Sequence, residues 1–307
     1  MRWELRLLAA GVLSTFSFTC ALAQQATGSF DRTVTVAEPV ALDVTTGSGS
    51  ITITRGAGGQ VVVHGSIRVH TGSGRSAAEA EALARSLEMD PPIEVVGSTV
   101  RVGHLEEEDR RNVSITYDIS VPAATSVVSR TGSGDQSVSE LSGSVDARTG
   151  SGEIILAGIE GAVEVSTGSG DINAERIAGA FNGSTGSGSI TLAQTASGAV
   201  AVATGSGNVS VTGVQGAARA RTGSGRIAID GVPGGPWDVE TGSGSVHLRV
   251  PADAAFSLDV RTSSGSVETS HAVTMAGTIA RGTLRGDVRG GGSLVHVRTG
   301  SGSIRVE

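Results

Sequence analysis

The tetrapeptide TGSG begins at Thr46, Thr71, Thr131, Thr149, Thr167, Thr185, Thr204, Thr222, Thr241 and Thr299, with a TSSG variant at Thr262. From Thr131 to Thr241 the successive spacings are 18, 18, 18, 19, 18 and 19 residues. One copy in isolation, RTGSGEIILAG from Arg148 to Gly158, resembles a phosphate-cradling loop, because close glycines let backbone N–H groups reach an anion. Regular recurrence, without a following helix or a lysine, makes it a corner instead. Gly132, Gly134, Gly150, Gly152, Gly168, Gly170, Gly186, Gly188, Gly205, Gly207, Gly223, Gly225, Gly242 and Gly244 are then structural turn residues. Stacked bends call there for positive φ and close backbone approach.

On both sides of each corner apolar and polar residues alternate, as in Val163, Val165, Ile172 and Ala174. Period two means strands with one buried and one solvated face. A second bend at Gly161, Gly179, Gly198, Gly216 and Gly235 returns the chain. Each unit is two short strands and two bends, too small to offset its own ordering entropy. Stacked at strand spacing, it gains a hydrogen-bond ladder on both sides. The fold class expected is all-β: a parallel β-solenoid, or β-helix, of about 18 residues per coil.

Inner columns follow from the alignment. Ile154, Ile172, Ile190, Val209, Ile227 and Val246 form one, and Leu156, Ala174, Leu192, Val211, Ile229 and Leu248 another. The turn threonines fall in the inward phase, placed to hydrogen-bond along the stack. Phe181 and Trp237 share a column with Val163 and Val200 and read as core residues. A three-sided helix of hexapeptides also fits a period of 18, but aliphatics do not recur every sixth residue. Two bends per coil are preferred, with handedness open.

The chain divides into a signal peptide at 1–23, N-terminal strands with a helical insertion acting as a cap at 24–130, and the repeats at 131–307. The leader has Arg2 and Arg6, an apolar run from Leu7 to Phe18 and an Ala21-Leu22-Ala23 cleavage site, the layout of a secretory signal. It predicts export to the periplasm, the outer-membrane surface or the medium. Acylation on Cys20 is the lesser alternative, since SFTC lacks the leucine usual in a lipoprotein signal. Cys20 is the only cysteine, so the mature chain has no disulfide. The insertion predicts one helix over about 76–89, with Ser76 and Glu79 as a capping box, Leu83 and Leu87 on one face and Pro91-Pro92 beyond it. Two or three strands follow around an acidic turn. The repeats stop in mid-strand at Glu307, an edge open to self-association.

All 23 basic residues are arginine. Without lysine there is no P-loop lysine, Schiff base or S-x-x-K pair. A net charge of −7 argues against nucleic acid as a partner. The six histidines, 64, 70, 104, 247, 271 and 296, show no metal-ligand spacing. No catalytic or cofactor-binding constellation emerges. One outward column remains: Asp135, Glu153 and Asp171 follow three successive corners. Stacked carboxylates repel unless a hard cation sits among them, so Ca²⁺ is the one metal they suggest. The plainer reading is a solvated corner balanced by Arg130 and Arg148.

The opening FDRTVTVAEPVALDVTTGSGSITI, the segment leading to ITYDISVPAATSVVSRTGSGDQSV and the TGSG coils together resemble a bacterial putative-adhesin family, secreted or envelope proteins built on a β-strand-repeat domain of unknown function. The resemblance spans roughly Phe30 to Glu307, and the coils from Thr262 to Thr299 depart from it in spacing. It implies a non-catalytic exported adhesin or envelope scaffold whose partner is an envelope or extracellular protein or polysaccharide. Two alternatives stand beside it: a polysaccharide-active β-helix enzyme using the Asp135, Glu153 and Asp171 ladder, and an envelope protein that assembles through its C-terminal edge.

Overall fold

A computed structural model describes residues 25–71, 76–106, 109, 112–275 and 282–307. The expected leader, its Cys20 and part of the acidic turn lie outside these residues. The chain forms two long sheets, of 13 and 14 strands, facing each other across one apolar core. Each regular coil gives one strand to each sheet, as Val145–Thr149 and Ile154–Ile159 do. The molecule is a two-sheet parallel β-solenoid, with two bends per coil.

From Ser126 to Arg249 the coils stack in sequence order and in register. Ile154 pairs with Ile172, Ile172 with Ile190, Ile190 with Val209, Val209 with Ile227 and Ile227 with Val246. The second inner column runs likewise from Leu156 to Leu248, and both columns are buried. Large residues are matched by small neighbours. Phe181 pairs with Val163 and Val200, and its ring fills the space beside Gly183, where a Cβ would lie 2.6 Å from it. Trp237 sits next to Ala218 and donates its indole N–H to the Gly216 carbonyl at 3.0 Å. Both aromatics are core residues.

At each end the spatial order departs from the sequence order. The first coil, Ala41–Thr46 and Ile51–Arg55, lies between the coil starting at Ser126 and an outer pair, Thr99–Val102 and Val113–Val121. The last coil, Ser293–Ser301 and Ile304–Val306, is inserted between Trp237–Arg249 and Phe256–Thr269. The open edge expected at Glu307 is therefore elsewhere, because both terminal strands have parallel neighbours on either side. The free edge of the 13-stranded sheet at that end is Val267–Thr269, and the 14-stranded sheet ends in Val273–Thr274, antiparallel to Thr283–Val288.

The N-terminal end is closed by antiparallel strands and a helix. Gln60–His70 pairs with Val113–Val121, and Gln25–Thr35 with Gln60–His70. The helix spans Ala77–Met89, and the predicted capping box forms: Ser76 Oγ accepts from the Glu79 N–H and the Ser76 N–H donates to the Glu79 carboxylate at 2.8 Å. Ala80, Ala84 and Leu87 bury its inner face. Glu88 accepts the N–H of Ser29 at 2.9 Å and Arg32 donates to the Met89 carbonyl. The helix thereby occupies hydrogen-bonding groups on the outermost strand, one way to blunt an edge.

Candidate functional site

The repeated corner is a stacking device. Thr167 Oγ1 donates to the Gly152 carbonyl of the preceding coil at 3.0 Å and accepts the Gly170 N–H of its own at 3.1 Å. Thr131, Thr149 and Thr185 repeat both bonds. At the C-terminal end Thr299 reaches Gly244, and Thr262 reaches Gly302, which follows the spatial order of the coils. Glycine is required by proximity. A Cβ on Gly152 would lie 1.9 Å from the Gly134 carbonyl oxygen, and one on Gly150 2.3 Å from that of Gly132. The positive φ expected at these corners is absent from Gly132 to Gly244. Left-handed residues instead sit near the second bend, at Glu140, Gly158, Arg176 and Gly213, where sheet strands end in an irregular step.

The outward acidic column is spent on the same task. Asp135 Oδ1 accepts the N–H of Glu153 at 2.9 Å, and Asp171 Oδ1 that of Ser189 at 2.7 Å. Asn208 does the same for Arg226 at 3.0 Å, while Glu153 accepts from the Asn173 side chain at 2.6 Å. Asp135, Asp171 and Asn208 thus each satisfy a backbone N–H at the corner of the following coil. Asp135, Glu153 and Asp171 do not converge on a point. Among the described residues no three His, Cys, Asp or Glu side chains come together as a metal site. Arg130 and Arg148 are not their countercharges either: Arg130 pairs with Asp43 at 3.4 Å, and Arg148 with Asp146 and Glu164 on the sheet face.

Sequence reasoning missed three concavities. A groove of about 740 Å³ crosses the second bend from Ser126 to Asp238, floored by Ser144, Ala162, Ala180, Ala199, Ala217 and Pro236. The recurring small residue immediately before inward Val145, Val163, Phe181 and Val200 was its signal. A smaller cavity of about 270 Å³ lies where the segment after Val102 replaces a TGSG corner. Tyr117 lines it with a buried hydroxyl that has no partner, and burial pushes this phenol above its ordinary pKa. The third, of about 770 Å³, is lined by Arg221, Glu240, Arg261 and Arg298 beside the C-terminal corners.

A parallel solenoid built on threonine-glycine corners defines the class. Residues 161–307 match the family model Toastrack DUF4097, a domain of unknown function, which bears out the family resemblance over that stretch. No curated protein matches the chain. Among solved structures, it is similar to a putative adhesin from Bacteroides fragilis NCTC 9343, at 12% identity and a TM-score of 0.37, covering 91% of this chain and 97% of that one. It is also similar to a putative cell adhesion protein from Clostridium sporogenes ATCC 15579, at 12% identity and a TM-score of 0.20, covering 91% and 99%.

Proposed function

We propose that the chain is an exported, non-catalytic repeat protein of the cell envelope, an adhesin or scaffold that holds an envelope or extracellular partner. The observation supporting this is the use made of the corner. Its hydroxyl, its glycines and its outward Asp or Asn all go into stacking one coil on the next. The repeat's chemistry is thus consumed in extending a surface, and what faces solvent is that surface with its grooves. The polysaccharide-cleaving alternative needs two carboxylates free to meet a glycosidic oxygen and a water. Asp135 and Asp171 hold backbone N–H groups on neighbouring coils instead.

The test is localisation of the protein in its own cells, with the mass of its mature N-terminus, followed by pull-down from envelope fractions. The proposal expects a mature chain starting near Gln24 and a partner retained at moderate salt. A cytoplasmic protein with an intact leader would overturn it, as would hydrolysis of a glycan that disappears in D135N or D171N.

A further inference from the structure

Along the outer face of the 14-stranded sheet, the residue before each turn threonine forms a row. Register places Arg221 beside Glu240, Glu240 beside Arg298, Arg298 beside Arg261, and Arg261 beside Thr283. The row reads plus, minus, plus, plus, neutral. Glu240 is taken by Arg221 at 3.1 Å. Arg261 reaches Asp259 at 3.4 Å, but Asp259 is held more closely by Arg285 at 2.6 Å. Arg298 is exposed and, among the described residues, has no ion pair or hydrogen bond through its side chain. Like charges directly opposite on neighbouring strands are destabilising, and here two arginines sit so in a chain of net charge −7. The same residues line the 770 Å³ groove, together with Ser263 and Thr283.

We propose that this groove binds an oxyanion, a carboxylate or phosphate group, seated between the guanidinium groups of Arg298 and Arg261. A guanidinium presents paired N–H donors that match either group, and the bonds are charge-assisted. The adjacent hydroxyls of Ser263 and Thr283 suit an anion carried on a polyhydroxylated body. The inference gives a ligand chemistry to the binding reading above and rests on it only for the source of the ligand. Purified probes therefore test the groove wherever the protein resides.

The experiment is titration calorimetry of the full mature chain with inorganic phosphate, with an oligogalacturonate and with a neutral cello-oligosaccharide. Wild type is expected to bind one or both anionic probes saturably and not the neutral one. R298Q is expected to lose about tenfold or more in affinity, as removal of charge-assisted bonds implies, and R130Q, at the same row position at the other end, to lose none. A phosphate-only result assigns a phosphorylated source, and an oligogalacturonate-only result an acidic glycan. A stability readout separates binding from folding: without ligand, R298Q melts no lower than wild type, because it relieves the Arg298–Arg261 pair without setting a second carboxylate beside Glu240, yet it binds the anion about tenfold or more weakly. Equal affinity in R298Q and wild type, or no saturable binding of either anion, would overturn the proposal.

Discussion

The middle of the solenoid and its two ends are built from the same coil but assembled by different rules. Between Val145 and Gly231 each coil lies beside the one before it and the one after it in the chain. At the ends, the first coil is overlaid by the later strands Thr99–Val102 and Val113–Val121, and the last is inserted between two earlier ones. The difference shows what the repeat encodes. A threonine hydroxyl, a glycine carbonyl and an aliphatic column fit any neighbouring coil equally well. Adjacency is set by chain connectivity where the linking bends are short. Long segments at 56–98 and 270–292 release that constraint, and the ends then rearrange to bury both termini of the repeat.

The sharpest way to break the comparison is to remove the inserted coil. Deleting residues 293–307 leaves the strands at Trp237 and Phe256 separated by two strand spacings, roughly 9.6 Å. Hydrogen exchange is expected to lose protection throughout 256–274 while 145–231 keeps it, as nearest-neighbour stacking requires. Equal loss in the middle would mean one cooperative unit. Next in size is the close approach at the middle corners. G152A sets a Cβ against a backbone oxygen and is expected to cost about 3 kcal/mol or more, beyond ordinary overpacking. G58A, which meets only the end of the Glu38 side chain, should stay within about 1 kcal/mol. Urea or thermal melts of both variants check this.

The threonine ladder gives a smaller contrast. T167V strands a buried glycine carbonyl and N–H and is expected to cost about 1–3 kcal/mol. T46V, whose hydroxyl meets Ile115 in a half-buried setting at the outer coil, should cost less in the same melts. The smallest effect is acid sensitivity at the C-terminal end. Burial alone would raise the Asp259 pKa, but the Arg285 hydrogen bond and the charges of Arg261, Arg285 and His296 hold it below its ordinary range. Glu307 is lowered chiefly by its hydrogen bond from His247. A carboxylate depressed in the folded state contributes stability above its unfolded pKa and loses it as pH falls through the folded value. The melting temperature is therefore expected to drop as pH falls below about 4, and to drop less in D259N.

Much of this was legible in the sequence, for reasons that particular residues make plain. Period-two alternation named the inner columns from Ile154 to Val246 because only one face of each strand meets the core. Ser76 and Glu79 announced the helix through local hydrogen bonds that need no tertiary context. The inserted coil was not legible: Thr241, Thr262 and Thr299 carry nearly the same corner, and no local rule says which stacks on which. The broken spacing after Thr241 marked the place without giving the order. The corner glycines were read as sites of positive φ, whereas carbonyls of the preceding coil exclude a side chain. The acids at Asp135 and Asp171 suggested a cation because their partners, backbone N–H groups one coil away, carry no signature in side-chain identity.

The central claim is the order of the end coils, and a cysteine pair reads it directly. In a chain with Cys20 replaced by serine, D238C/H296C joins outward residues that are register partners on adjacent strands, within the Cα separation of about 4.4–6.8 Å that a disulfide spans. D238C/D259C joins residues with the inserted strand between them. Mass spectrometry after mild oxidation is expected to find an intramolecular disulfide in the first variant and free thiols in the second. A disulfide in D238C/D259C and none in D238C/H296C would mean that the coils stack in sequence order to the end, and would contradict the account.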